Sequence, residues 1–188
     1  MKNILTALVL GMMVAGASYV YGRSVGAAGK AGVVRSAGVK TAVVEFTPGP
    51  GASAMNDQAK RGLQTMLSAR LNHTRKFNVY DTRHSRNASD ASLEAINGGS
   101  STAAAVKLGK QLGVAYVVTG RVTEYNTGGS ATVTYRLIEV ATGKVRHSGE
   151  IAQTATMKMN GNGSAAEMQS KVMRPLIDKL TEALAEKL

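Results

Sequence analysis

The side chains that could do chemistry in this chain are few and scattered. His73, His84 and His147 each stand alone in the sequence, and no H-E-x-x-H spacing surrounds them. The absence of Cys excludes disulfides, thiolate metal sites and cysteine nucleophiles. No G-x-S-x-G string marks a nucleophile elbow. His147 is in phase with Val145 and Ile151, so it reads as a packed or hydrogen-bonded residue at the edge of a core. Glu45 sits in an apolar strand. A structural hydrogen bond to a neighbouring loop accounts for it better than general-base work, which needs a visible partner.

The glycine motifs are no stronger. Gly161-Asn162-Gly163-Ser164-Ala165-Ala166 matches G-x-G-x-x-A between a strand and a helix. A dinucleotide site also needs a following strand and an acid about 20 residues on, and the helix after this string is the last element read from the sequence. A helix entry turn is enough to explain the string. Gly29-Lys30 and Gly143-Lys144 lack the spaced glycine and the Ser/Thr of a phosphate loop. These residues assign no catalytic, cofactor or metal site, and the expectation is a protein that is not an enzyme.

Charge carries more information. The formal net charge is +11, and it is unevenly spread. Lys60, Arg61, Arg70, Arg75, Lys76, Arg83 and Arg86 stand against Asp81 alone over residues 60–86. Residues 1–38 hold Lys2, Arg23, Lys30 and Arg35 with no acid. Such an excess is either a solvated face or a surface for an anionic partner. Anionic lipid, acidic polysaccharide, peptidoglycan carboxylates or an acidic protein groove all suit it. Nucleic acid suits it less: Phe77 and Tyr80 are present, but no recognition motif surrounds them.

The elements that must position these groups begin after a targeting segment. Met1-Lys2-Asn3 is a basic start, Ile4–Gly16 is uncharged and apolar, and Ala15-Gly16-Ala17 fits a small-x-small cleavage site. Residues 1–17 therefore read as a signal peptide for Sec-type export. Read on to Gly22, residues 4–22 would make an uncleaved anchor. The first reading leads to the periplasm, with outer-membrane association to follow; the second gives an inner-membrane protein facing the periplasm. Residues 18–38 are a basic, Gly/Ala-rich flexible tether, and residues 39–188 form one folded domain. Hydrophobic residues make up 44 % of the chain, enough for a core, but aromatics only 4 %, so the core must be aliphatic.

Within that domain Val39–Phe46 is a strand, ended by Pro48-Gly49-Pro50-Gly51. Met55–Leu71 is a helix with Ala59, Leu63, Met66, Leu67 and Leu71 on one stripe. Lys76–Asp81 is a second strand. Residues 82–101 are polar and loop-like, with at most a turn of helix over Ala91–Ile96. Thr102–Leu112 is a helix with Ser101 or Thr102 as N-cap and Gly113 at its exit. Val114–Glu124 is a strand buried on both faces. Thr132–Val140 and Val145–Met157 are alternating strands joined by a turn at Ala141–Lys144. The second of them places Val145, Ile151, Ala155 and Met157 on one face. Ala165–Leu188 is an amphipathic helix striped by Met168, Val172, Leu176, Leu180 and Leu184, with Met173 and Ile177 alongside. Pro175 predicts a kink or restart in it. The order β-α-β-α-β-β-β-α predicts an α/β (α+β) fold, a mixed five-stranded sheet with helices packed on it.

Several strings in that order resemble the CsgG-like superfamily of bacterial envelope proteins. They are TAVVEF before a Gly/Pro loop, MLSARLNHTRKFNVYD, AAAVKLGKQLGVAYVVTGRVTEY and ATVTYRLIEVATGKVRHSGE, together covering most of residues 40–157. The superfamily includes the curli secretion channel and a polysaccharide export lipoprotein, PelC. A penicillin-binding-protein activator, LpoB, and the TolB amino-terminal domain have related folds. The resemblance implies a non-enzymatic periplasmic domain, an oligomeric scaffold or accessory subunit of an export or assembly system, curli-like or for polysaccharide. Its partners would be further copies or other envelope proteins. A monomeric regulator of a cell-wall synthase and an anion- or nucleic-acid-binding module are the alternatives. Two departures stand out. The channel's long membrane hairpins are replaced by Asn126–Ser130 and Lys158–Ser164, too short to span a bilayer, so no pore is expected from this chain by itself. The lipobox Cys is absent.

Overall fold

A computed structural model describes residues 38–98, 102–156 and 164–188. The signal or anchor segment, the tether before Gly38, Met157, the start of the Gly161 motif and most of the Lys158–Ser164 turn fall outside these residues.

The sheet is mixed and has six strands rather than five. β1 (Val39–Val43) lies between β3 (Phe77–Val79) and β4 (Tyr116–Asn126), parallel to both. β5 (Ser130–Glu139) and β6 (Val145–Thr154) continue outward antiparallel, giving the order β3-β1-β4-β5-β6. The sixth strand, β2, is Thr47–Gly51, the Thr-Pro-Gly-Pro-Gly stretch that sequence reasoning reads as a strand terminator. It runs beyond β1 and pairs parallel with the second half of β4. Proline is tolerated there because β2 is an edge. Glycine is required there because a Cβ on Gly51 would come within 2.5 Å of the Thr123 carbonyl oxygen.

Between β1 and β2 the chain leaves the ladder, and Phe46 turns in. Its ring lies over Gly120 of β4, where an added Cβ would meet it at 2.4 Å. The Gly120 amide is taken instead by Asn97 Oδ1 at 3.1 Å, and Asn97 Nδ2 donates to the Glu45 carbonyl at 2.8 Å. One buried amide side chain thus closes the backbone bonding where the strands part.

One face of the sheet carries α1 (Asp57–His73) and the C-terminal helix. Asn56 caps α1, its Oδ1 accepting from the Ala59 amide at 2.8 Å. Leu63, Leu67 and Leu71 are buried as their spacing predicts, and so, unpredicted, is Gln64. The C-terminal helix starts as α5 (Ala165–Met168) under a Ser164–Glu167 capping box. It loosens into a π-turn over Gln169–Met173 and restarts as α6 (Arg174–Ala185). The restart predicted from Pro175 is present, since Pro cannot donate to the turn before it. All seven predicted stripe residues, from Met168 to Leu184, are buried against Val118, Val133 and Leu137.

The other face is covered by three helices, the last where the sequence predicts one and the first two where it reads mostly as loop. They are α2 (Thr82–Ser89), α3 (Leu93–Asn97) and α4 (Ala103–Leu112). Residues 82–97 carry little apolar periodicity, so α2 is held by its cap and one buried stripe. Asp81 Oδ1 accepts from the Arg83 and His84 amides at 2.7 and 3.3 Å, while Ser85 and Ser89 face inward. Ile96, Ala105, Leu108, Val117 and Ile138 form the core on this side. Gly113 leaves α4 at φ 65, as expected of a helix exit. Thr102 caps α4 without a side-chain bond, because its hydroxyl donates across to the Gly143 carbonyl at 2.9 Å.

A β-bulge corrects one reading. Leu137 pairs with His147 but Ile138 pairs with Val145, so Arg146 is the extra residue. Val145 therefore sits on the face of Ile138, opposite Ile151, and is 41 % exposed. The turn between β4 and β5 is tight, closed by the Gly129 amide on the Asn126 carbonyl at 2.9 Å. Among the described residues no helix is long and apolar enough to cross a membrane.

Candidate interaction surface

β1, β3 and β4 start at the same end of the sheet, and α1 runs back from the far end to this strand-start end. That geometry divides the basic segment. Lys60 and Arg61, in the first turn of α1, and Arg83 and Arg86, in α2, lie at the far end. Arg70, in the last turn of α1, and Arg75 and Lys76, on the way into β3, lie at the strand-start end. The seven residues thus form two groups rather than one continuous face.

Several of them are engaged. Lys60 pairs with Asp57 at 2.5 Å, and Arg70 reaches Asp178 of α6 at 3.0 Å. Lys76 Nζ donates to the Ala185 carbonyl at the end of α6 at 2.6 Å. Arg75 takes a left-handed backbone, φ 62, immediately after α1. Arg61 and Arg83 are exposed.

Arg86 turns inward. Its Nη2 donates to Gln64 Oε1 at 2.9 Å, and its Nε stands 3.2 Å from Glu45 Oε2 as an ion pair whose N–H is not aligned for a hydrogen bond. Gln64 Nε2 in turn donates to the Val43 carbonyl at 2.8 Å. The hydrogen bond to a loop expected of Glu45 is thus replaced by an ion pair to a helix residue. Only Glu45 is visible in the sequence as out of place. Gln64 and Arg86 carry no local signal, because each looks like an ordinary surface residue of a polar helix.

The histidines stay apart. His84 lies beside Asp81 at 3.7 Å and edge-on to Tyr80. His147 meets the Tyr135 hydroxyl at 2.9 Å, with the rings T-shaped at 5.5 Å. This is the core-edge role read for it, on the face of Ile151 although not of Val145. Among the described residues no group of His, Asp or Glu is gathered to hold a metal.

A cleft of about 290 Å³ opens between the start of α1, the β4–β5 turn and the C-terminal helix, lined by Gly62, Met66, Tyr125, Met168 and Met173. Among the described residues no charged side chain lines it, and burial pushes the Tyr125 phenol up. A shallow site of about 400 Å³ over β4, β5 and β6 is lined by Arg121, Arg136 and Glu150. Both arginines are already used: Arg121 by Glu94 at 2.8 Å, Arg136 by the Ile96 carbonyl at 2.7 Å. Burial draws the Arg136 guanidinium below its ordinary value.

This arrangement defines an α/β domain, a six-stranded sheet between two helical layers. The model of the TolB amino-terminal domain matches residues 34–146, and the chain belongs to that family. The match falls on one of the related folds that the sequence resemblance points to, and not on the CsgG-like superfamily as such. The fold is similar to that of CT253, a hypothetical protein from Chlamydia trachomatis, with TM-score 0.52 and 14% identity, covering 79% of this chain and 99% of that one. It is similar also to a point variant of PelC from Paraburkholderia phytofirmans, solved as a dodecamer, with TM-score 0.50 and 18% identity, covering 78% and 89%. The LpoB C-terminal domain from Salmonella enterica aligns at TM-score 0.45 and 18% identity, over 63% and 84%. No curated protein matches the sequence.

Proposed function

We propose that this chain is a non-enzymatic accessory subunit of the bacterial cell envelope, exported to the periplasm and working as an oligomeric scaffold in an export or assembly system. The observation that carries the reading is membership of the TolB amino-terminal domain family over most of the folded part. The export-type segment at residues 1–17 and the lack of any gathered chemistry among the described residues support it. The oligomeric part draws on PelC, a protein of the same fold solved as a dodecamer. Basic surface at both ends of the sheet leaves room for an anionic envelope component beside the protein partner.

Native mass spectrometry of the exported chain tests the scaffold. Assemblies larger than one copy, or co-purification with an envelope protein, are the expected result. A strictly monomeric species across micromolar concentrations, with no partner captured, would sink it.

A further inference from the structure

We infer that the strand-start end of the domain docks on an anionic phospholipid bilayer. The fold gathers cations there from separate stretches of sequence. Lys40 is exposed at the start of β1, its carbonyl accepting from the Ala115 amide at 2.9 Å. Arg75 and Lys76 lead into β3, and the Lys76 bond to Ala185 brings Lys187 to the same end. Lys110 lies in the last turn of α4, directly before β4. Lys144 and Arg146 open β6, which runs in the direction of β4. Against them stand Glu139, already paired with Arg146 at 2.8 Å, Asp178, paired with Arg70 at 3.0 Å, and Glu186, with Glu182 a turn behind.

The far end differs. Its acids sit beside its cations and are largely spent on them, in the pairs Asp57–Lys60, Glu45–Arg86, Glu94–Arg121 and Glu167–Lys171. The excess of positive charge is thus polarised along the strands. Exposed apolar groups follow the same polarity. Of Tyr80, Val145 and Leu188, the exposed large hydrophobic side chains among the described residues, Val145 (41 %) and Leu188 (40 %) are at the basic end. Cations around a few apolar side chains suit a lipid headgroup layer.

The composition of the preceding sequence selects a bilayer as the occupant. Gly38 enters β1 at this end, where the Val39 amide bonds the Lys76 carbonyl at 2.8 Å. The sequence before it carries Arg23, Lys30 and Arg35 without an acid, behind the apolar stretch 4–22. The sequence that leads into this end and the end itself therefore carry the same sign of charge. This inference stands apart from the scaffold reading, because a monomer would dock equally well.

The test uses the compact unit Ser36–Leu188, which contains both hydrophobic cores and every strand pairing described above. Its sedimentation is measured with vesicles of phosphatidylcholine mixed with phosphatidylglycerol, and of phosphatidylcholine alone. Each Lys or Arg near an anionic leaflet is worth about a fivefold gain in partition. The triple variant Lys40→Gln, Lys110→Gln, Lys144→Gln should bind the mixed vesicles on the order of 100-fold more weakly. The far-end triple Lys60→Gln, Arg61→Gln, Arg83→Gln should lose less than about threefold, and high salt should release the parent. Should the first triple melt early by circular dichroism, the three single variants, each expected to lose about fivefold, replace it. Equal losses from both triples, equal binding to neutral vesicles, or no binding to either vesicle would overturn the inference. So would sedimentation with peptidoglycan sacculi but not with vesicles, which would assign the surface to the wall.

Discussion

Arg86 holds its guanidinium 3.2 Å from the Glu45 carboxylate while donating to Gln64, so one cation joins α2, α1 and the end of β1. Both ionic side chains are mostly buried, 23 % and 13 % exposed. Removing one partner strands the other in a low-dielectric setting. Glu45→Ala should therefore lower stability by about 1–3 kcal/mol. The Glu45→Ala, Arg86→Ala pair should lose less than the sum of the singles, because the two share one interaction. Urea unfolding of the four species completes the cycle, and strict additivity would refute the coupling.

Gly120→Ala should cost about 1–3 kcal/mol or more by overpacking. The new methyl would meet the Phe46 ring at 2.4 Å and the Thr134 carbonyl oxygen at 2.5 Å, and the second is backbone that cannot turn aside. Urea midpoints of the variant and the parent decide it. A midpoint unchanged within error would mean that β4 and β5 part more readily than their pairing suggests.

The C-terminal helix should be as sensitive as any part of the core. Leu180 is fully buried in the larger cluster, and Leu180→Ala should cost about 2–5 kcal/mol. Gln169→Ala, at an exposed position of the π-turn, should stay within about 0.5 kcal/mol. Thermal melts of the two variants separate docking of the helix from its mere presence.

Acid should loosen α2 first at its cap. The Arg83 and His84 amides that donate to Asp81 hold its carboxyl below the usual Asp value. A carboxylate with a lowered folded pKa contributes its stability above the unfolded value and loses it as pH falls through the folded one. The Arg83 and His84 amide resonances should therefore shift in a titration centred below the ordinary Asp range. Asp81→Asn, which keeps an acceptor, should abolish that titration and retain α2. A midpoint at or above the ordinary value would contradict the cap geometry.

The long periodic segments are legible in the sequence because hydrophobic phase alone determines them. Leu63, Leu67 and Leu71 in α1, and the run from Met168 to Leu184, lie where their spacing puts them. Three features are not legible. β2 hides because Pro48 and Pro50 argue against a strand, and only its edge position beside β4 admits them. α2 hides because its inward residues are Ser85 and Ser89. The bulge at Arg146 hides because strict alternation continues through it in the sequence, although the face it reports has changed. The division of the basic segment is of the same kind. Lys60 and Lys76 are close in sequence, and only the path of α1 between them sends their charges to opposite ends.

The two edges of the sheet differ in valence. β3 is short, and its outward Val79 amide is already bonded by Asn72 Oδ1 at 2.7 Å. β2 carries two prolines with no amide to offer. β6 is ten residues long and contains no proline. Ala155 bonds Gly129 of the partner ladder, so by alternation Ser148, Glu150 and Ala152 turn their backbone groups away from β5. Among the described residues, growth of this sheet by strand addition is therefore open on one side only. A second copy joined through β6 would close the edge and end in a pair, whereas any ring or larger assembly would have to be built from helices and loops.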